Sequence, residues 1–165
     1  MFIYSIRATT VKFIAVLVLC IVGLGVLVGI SGDGTLYASA DGTEINYGGV
    51  RSVEDRIEFI RQFGLTVNAE PLVENTVALP ENFDLALNEY NEIQKLQGLD
   101  LTKYRGKRVT HVTYEVTNYN HGGRVSVNLY ICRGRVVGCD LTGEGEGGFV
   151  IPLTEIDEER IRAAE

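Results

Sequence analysis

The sequence predicts an α+β domain carried behind a membrane-spanning segment, and three observations point to it. Over 108–118, 124–132 and 135–141, β-branched and aromatic residues alternate with polar ones, the period of strands with one buried face. Before these runs lie two stretches in which apolar residues recur at helical spacing. Ahead of both, the 18 residues from Phe13 to Ile30 carry no charge.

The three alternating runs are joined by Tyr119-Asn-His-Gly-Gly123 and Arg133-Gly134, which are rich in residues that tolerate positive φ. Strands joined this closely pair as hairpins, so the region predicts an antiparallel meander. Val125, Val127, Leu129 and Ile131 then share the buried face, and Ser126 faces solvent. A two-residue turn at Arg133-Gly134 puts Cys132 opposite Arg135 and Cys139 opposite Asn128. The two sulfurs are then about 13 Å apart at a rise of about 3.3 Å per residue, beyond disulfide reach. A bridge between Cys132 and Cys139 requires a six-residue loop instead, and an oxidising compartment keeps that alternative open.

The apolar run at 13–30 is about 27 Å long as a helix, close to the hydrocarbon thickness of a bilayer. Arg7 and Lys12 precede it, whereas Asp33, Asp41 and Glu44 follow it and the first basic residue beyond it is Arg51. That asymmetry predicts a cytoplasmic n-region at 1–12, a transmembrane signal anchor at 13–30 and everything after it outside the cell. Cleavage after Ala38-Ser39-Ala40 is the competing reading; the site lies ten residues past an apolar run longer than a signal peptide needs. Cys20 lies inside that run behind the bulky Leu19 and reads as a small apolar residue, not a lipoprotein cysteine. Gly25 and Gly29 form a GxxxG pair through which two spans could pack as a dimer.

Residues 31–51, rich in glycine, read as a flexible tether, with the α+β domain over 52–165. The first helix runs over 52–63, opened by Ser52-Val-Glu-Asp55 and closed by Gly64. Leu65–Val67 and Thr76–Leu79 are short strand candidates on either side of the turn-like Asn68–Pro71. The second helix runs over 83–97, with Phe83, Leu87, Tyr90, Ile93 and Leu96, joined by Leu85, as its apolar stripe. Phe149–Ile151 reads as a last strand, and Thr154 as the cap of a last helix. Both main helices are expected on one face of the antiparallel sheet, a two-layer arrangement.

Composition narrows function. Outside residues 1–30 the chain carries 13 basic against 22 acidic side chains, a net of −9. Such a surface repels phosphate backbones and disfavours nucleic acid, while a cationic or zwitterionic partner fits better. Asp140, Glu144 and Glu146 lack the spacing of a calcium loop and read as a solvated turn. His111 falls on the polar side of its strand, and no nucleophile elbow, zinc-protease motif or phosphate-binding loop is present. No catalytic, cofactor-binding or metal-binding residues are therefore assigned. Asn118, Tyr119, Asn120 and His121, offered on a hairpin, form a candidate partner-binding loop for another envelope protein or a cell-wall ligand. A hydrolase with catalytic groups scattered through the chain is the alternative.

The segments Tyr90-Asn-Glu-Ile-Gln-Lys-Leu-Gln-Gly-Leu-Asp-Leu101, Tyr104-Arg-Gly-Lys-Arg-Val109, Tyr114-Glu-Val-Thr-Asn-Tyr119 and Val125-Ser-Val-Asn-Leu-Tyr130 resemble the domain of unknown function 4830 family of Gram-positive bacteria. The resemblance spans Val53 to Leu153, with the N-E-I-Q-K-x-Q-G segment its most specific part. It implies a membrane-anchored protein without an assigned activity. The family pattern has a glycine where this chain has Cys139, which implies that the thiol is not essential.

Overall fold

The computed structural model describes residues 37–38 and 44–162. The predicted span at 13–30, its Gly25 and Gly29, the n-region and Ser39-Ala40 lie outside the described residues. Among the described residues, no helix is long and apolar enough to cross a membrane.

Two short strands, β1 (Tyr37–Ala38) and β2 (Glu44–Ile45), pair with each other. Helix α1 (Val53–Arg61) follows, then β3 (Val73–Ala78), helix α2 (Leu85–Leu96) and a 3-10 turn at Leu101–Tyr104. The meander β4 (Arg108–Glu115), β5 (Val125–Cys132) and β6 (Arg135–Gly143) leads to β7 (Phe149–Ile151). A second 3-10 turn (Leu153–Glu155) and the short helix α3 (Glu158–Arg162) close the chain. The result is an α+β fold round a five-stranded antiparallel sheet in the order β3-β4-β5-β6-β7.

The helix starts follow from their caps. Ser52 and Asp55 form a reciprocal capping box at α1, and Gly64 takes up positive φ just beyond its end. The Asp84 side chain accepts from the Leu87 amide at α2. At α3 the capping contact comes from Asp157, whose carboxylate accepts from the Glu159 amide at 3.0 Å, and not from Thr154, which lies in the preceding 3-10 turn. The Arg133-Gly134 turn has both residues at positive φ, as a tight hairpin between right-twisted strands needs.

Several further expectations are corrected. The domain begins before residue 52: Ile45, Tyr47 and Val50 are core residues, and Val136 donates its amide hydrogen to the Tyr47 carbonyl. Three well-spaced apolar side chains among glycines suffice to dock this stretch of the expected tether against the sheet. Leu65–Val67 is not a strand but a single bridge, Val67 to Val116, and the second candidate strand begins earlier, at Val73, pairing with β4.

The two main helices do not share one face. Phe59 and Ile60 of α1 pack with Val112, Tyr114, Val127, Leu129 and Leu141 in the main core. Phe83 and Tyr90, from the start and middle of the α2 region, join a smaller core with Val109, Cys132, Val137 and Tyr130, which alternate onto the opposite face. Ser126, on that second face, is only 6% exposed, against the solvent-facing position expected for it.

Finally, the register of β5 and β6 slips between Tyr130 and Ile131, so that Cys139 pairs with Leu129 and not with Asn128. The bulge turns Cys139 into the main core; both Cys132 and Cys139 are buried free thiols.

Candidate functional site

Helix α2 does not bury the stripe that its leucines suggest. Leu85 and Leu96 are 74% and 64% exposed, and the buried positions of the helix are Asn91 and Gln94, followed by Gln97 at its C-cap. Buried amides require partners, and most of these groups find them in backbone, while Gln94 Nε2 has none among the described residues. Gln94 Oε1 accepts from the Cys139 amide at 2.8 Å, and Gln97 Nε2 donates to the Cys139 carbonyl at 2.6 Å. Gln97 Oε1 accepts from the Leu153 amide at 3.0 Å, and its own carbonyl accepts from the Tyr47 hydroxyl at 2.9 Å. Asn91 Oδ1 accepts from the Leu101 amide at 2.7 Å.

The geometry explains the chemistry. On the outer side of β6 the ladder to β7 runs only from Leu141 to Gly143, so the backbone of Cys139 faces α2. The two glutamines complete that ladder in place of a strand. Gly138 lets this happen, because a side chain there would meet Leu101 Cδ2 at 3.0 Å.

On the same side of the sheet, a second network opens toward solvent. Asp140, 2% exposed, accepts from the Tyr90 hydroxyl at 2.5 Å, the Asn128 amide at 2.9 Å and the Thr142 hydroxyl at 2.7 Å. Asn128 Oδ1 in turn accepts from the Thr113 hydroxyl at 2.8 Å, and Thr113 lies 3.4 Å from His111 Nε2. The His111 ring stacks on Tyr130 at 4.7 Å between centroids, and Tyr130 meets Tyr90 edge to face.

Burial, then the charge of Asp140, pushes the Tyr90 hydroxyl well above its ordinary pKa, so it stays a donor at neutral pH. The same two causes push Tyr130 up. Among the described residues, Asp140 has no ion-pair partner; three hydrogen bonds carry its charge.

The predicted loop is placed differently from expectation. Tyr119, 9% exposed, packs in the main core against Phe149. Both ends of the Asn118 amide are engaged: Oδ1 accepts from the Thr66 amide at 2.7 Å and Nδ2 donates to the Gly64 carbonyl at 2.9 Å. These two residues hold the loop in shape. Asn120 is exposed, and His121 Nε2 lies 3.0 Å from the Glu144 carbonyl. The loop and the Asp140 network are separate; the structure does not bring them together.

Asp140 is not joined by Glu144 and Glu146, since its carboxylate lies within the sheet face while the other two are exposed beyond it. No group of three or more His, Cys, Asp or Glu among the described residues could hold a metal ion. The Cys139 thiol, wholly buried, is pushed well above its ordinary pKa by that burial and by Asp140, the opposite of what a nucleophile needs.

Residues 59–141 match the family described as Domain of unknown function (DUF4830). The chain belongs to that family. The DUF4830 match reaches from α1 to β6 and contains Tyr90, Asn91, Gln94, Gln97, His111, Asn128 and Asp140. Tyr47, Thr142 and Leu153, which complete the two networks, lie outside it. No curated protein and no solved structure matches the chain.

Proposed function

We propose that this DUF4830 protein is a binding module of the Gram-positive cell envelope, tethered by a single span at 13–30 and displayed outside the cell. The uncharged run and the basic-before, acidic-after asymmetry support the tether and its direction. The observation that carries binding is the polar face of the sheet: His111, Thr113 and Asn128 stand on a network anchored by buried Asp140.

Such a face offers polar groups, chiefly oxygens that can accept a further bond, fixed in place by strands, which costs a ligand little ordering. With a net of −9 outside residues 1–30, it suits an uncharged, hydroxyl- and amide-bearing cell-wall ligand, or a neutral or cationic surface of another envelope protein, better than an anion. Asn120 and His121 of the hairpin loop are the alternative surface for such a partner. Turnover is not part of it, since the thiols are buried and the threonine hydroxyls are spent as donors. The competing hydrolase reading rests on one contact, Thr142 Oγ1 against Asp140.

Photo-cross-linking in the native membrane, with the captured species identified, tests the reading. Capture should fall at least ten-fold in His111→Ala with the circular dichroism spectrum unchanged, and persist in Asn120→Ala plus His121→Ala. Loss confined to the loop variant moves the site to the loop, and capture unaffected by either variant overturns the proposal. Hydrolysis of a wall substrate that vanishes in Asp140→Asn would establish the enzyme instead.

A further inference from the structure

The two edges of the sheet are treated differently. On the β6 side, β7, the amides of Gln94 and Gln97, and the segment at 47–50 follow one another along the strand. On the other side, among the described residues, β3 bonds only to β4. Leu79 donates to the Lys107 carbonyl, so odd-numbered residues of β3 turn their backbone toward β4. The N–H and C=O groups of Glu74, Thr76 and Ala78 therefore point outward, and no described residue pairs with them. All three residues are exposed, as are Leu72 (46%) and Val73 (41%) beside them.

An open strand of this length is an association template unless its sequence blocks pairing, and none of the usual blocks is present. Val73–Ala78 contains no proline, lysine or bulge, and its single charge, Glu74, is engaged by Arg56 at 3.0 Å.

We propose that a second copy of this chain pairs here, β3 against β3 antiparallel, joining two sheets into one. The register decides the occupant. Pairing about a two-fold axis through Thr76 brings outward-facing backbone groups together, with Thr76 opposite Thr76 and Glu74 opposite Ala78. Threonine pairs are favourable across strands, and like charges are kept from opposing each other. Moving the axis to Glu74, a slip of four residues, would instead place Glu74 against Glu74. The strand is thus complementary to itself. This association uses neither the polar face nor the Gly25–Gly29 pair.

The test uses the full chain in its membrane, with Cys20→Ser so that the remaining thiols are buried. Thr76→Cys should form a disulfide-linked dimer on mild oxidation, since bonded partners across antiparallel strands have Cα atoms about 5.5 Å apart. Glu74→Cys should not, because its own counterpart lies about 13 Å away along the strand at about 3.3 Å per residue, whereas Glu74→Cys with Ala78→Cys should. Thr76→Lys, which puts like charges on the axis, should weaken self-association at least ten-fold in detergent sedimentation with the spectrum unchanged. Equal cross-linking at 74 and 76, or none at 76, overturns the proposal. So does an association insensitive to Thr76→Lys, or a heterologous protein as the sole species linked at 76.

Discussion

The face of the sheet under α1 and the face that carries α2 are built from alternate residues of the same strands, yet different physics holds them. Val112, Tyr114, Val127, Leu129 and Leu141 are sealed beneath Phe59 and Ile60, and their stabilisation is area removed from water, roughly 1.5–3 kcal/mol for each large apolar side chain. The side that carries α2 buries Asn91, Gln94, Gln97 and Asp140 and holds them by hydrogen bonds. Net stabilisation per bond is only about 1 kcal/mol, but an orphaned partner costs about 1–3 kcal/mol, so this face is specific before it is strong. One side can be perturbed only by what it excludes, the other by any loss of a partner.

The largest expected effect comes from putting the same charge on each face. Val127→Asp places a carboxylate in the sealed core, opposite Tyr114, and should cost several kcal/mol, enough to abolish cooperative unfolding in urea. Ser126→Asp, one residue away, should cost about 1–3 kcal/mol, because the new charge stands opposite Glu115 across the strands but close to polar neighbours. Equal costs would show the two faces to be alike.

Second in size is the glutamine ladder. Gln97→Ala removes the acceptor for the Leu153 amide and the donor to the Cys139 carbonyl together, and both groups are buried. A loss of about 2–4 kcal/mol follows from two orphaned groups. Native-state hydrogen exchange should show the Leu153 amide opening first, since that end of the chain hangs on Gln97. Unchanged protection at Leu153 would mean that β7 holds it alone.

How much of this was legible depends on which face a residue serves. The sealed face announced itself by period two, and the meander, its tight turn and the start of α1 could be read from Val125-x-Val-x-Leu-x-Ile, Arg133-Gly134 and Ser52-x-x-Asp55. The hydrogen-bonded face could not be read the same way. Its helix shows leucines to solvent and amides to the protein, so a hydrophobicity stripe over 83–97 selected Leu96 where Gln94 and Gln97 matter. The bulge after Tyr130 carries no local signal beyond the paired valines Val136-Val137, one for each face, yet it decides where Cys139 points. Tyr119 was hidden by its polar neighbours. Asp140, Asn128 and His111 were visible singly as the polar half of the alternation, and only strand pairing shows that they form one network.

The smallest effect at neutral pH separates the faces by titration. Tyr90→Phe removes one donor to Asp140 while leaving the ring against Tyr130, for a cost of about 1–2 kcal/mol with the carboxylate still bonded to Asn128 and Thr142. Its pH dependence is the sharper reading. The Tyr90 hydroxyl titrates well above its ordinary value of 10.0 in the folded protein, owing to burial and then to the charge of Asp140. The folded state therefore holds this proton more tightly than the unfolded chain. Its stabilisation is complete below about pH 10 and is lost as pH climbs through the folded-state value. Burial raises Cys139 in the same direction from 9.0, so wild type should begin to lose stability near pH 9 and fall more steeply past 10. In Tyr90→Phe the early loss should remain and the steeper part should flatten, as followed by the urea midpoint between pH 8 and 11. An unaltered slope above pH 10 would mean that the Tyr90–Asp140 bond does not hold this face together in solution, and would remove the anchor from the polar network.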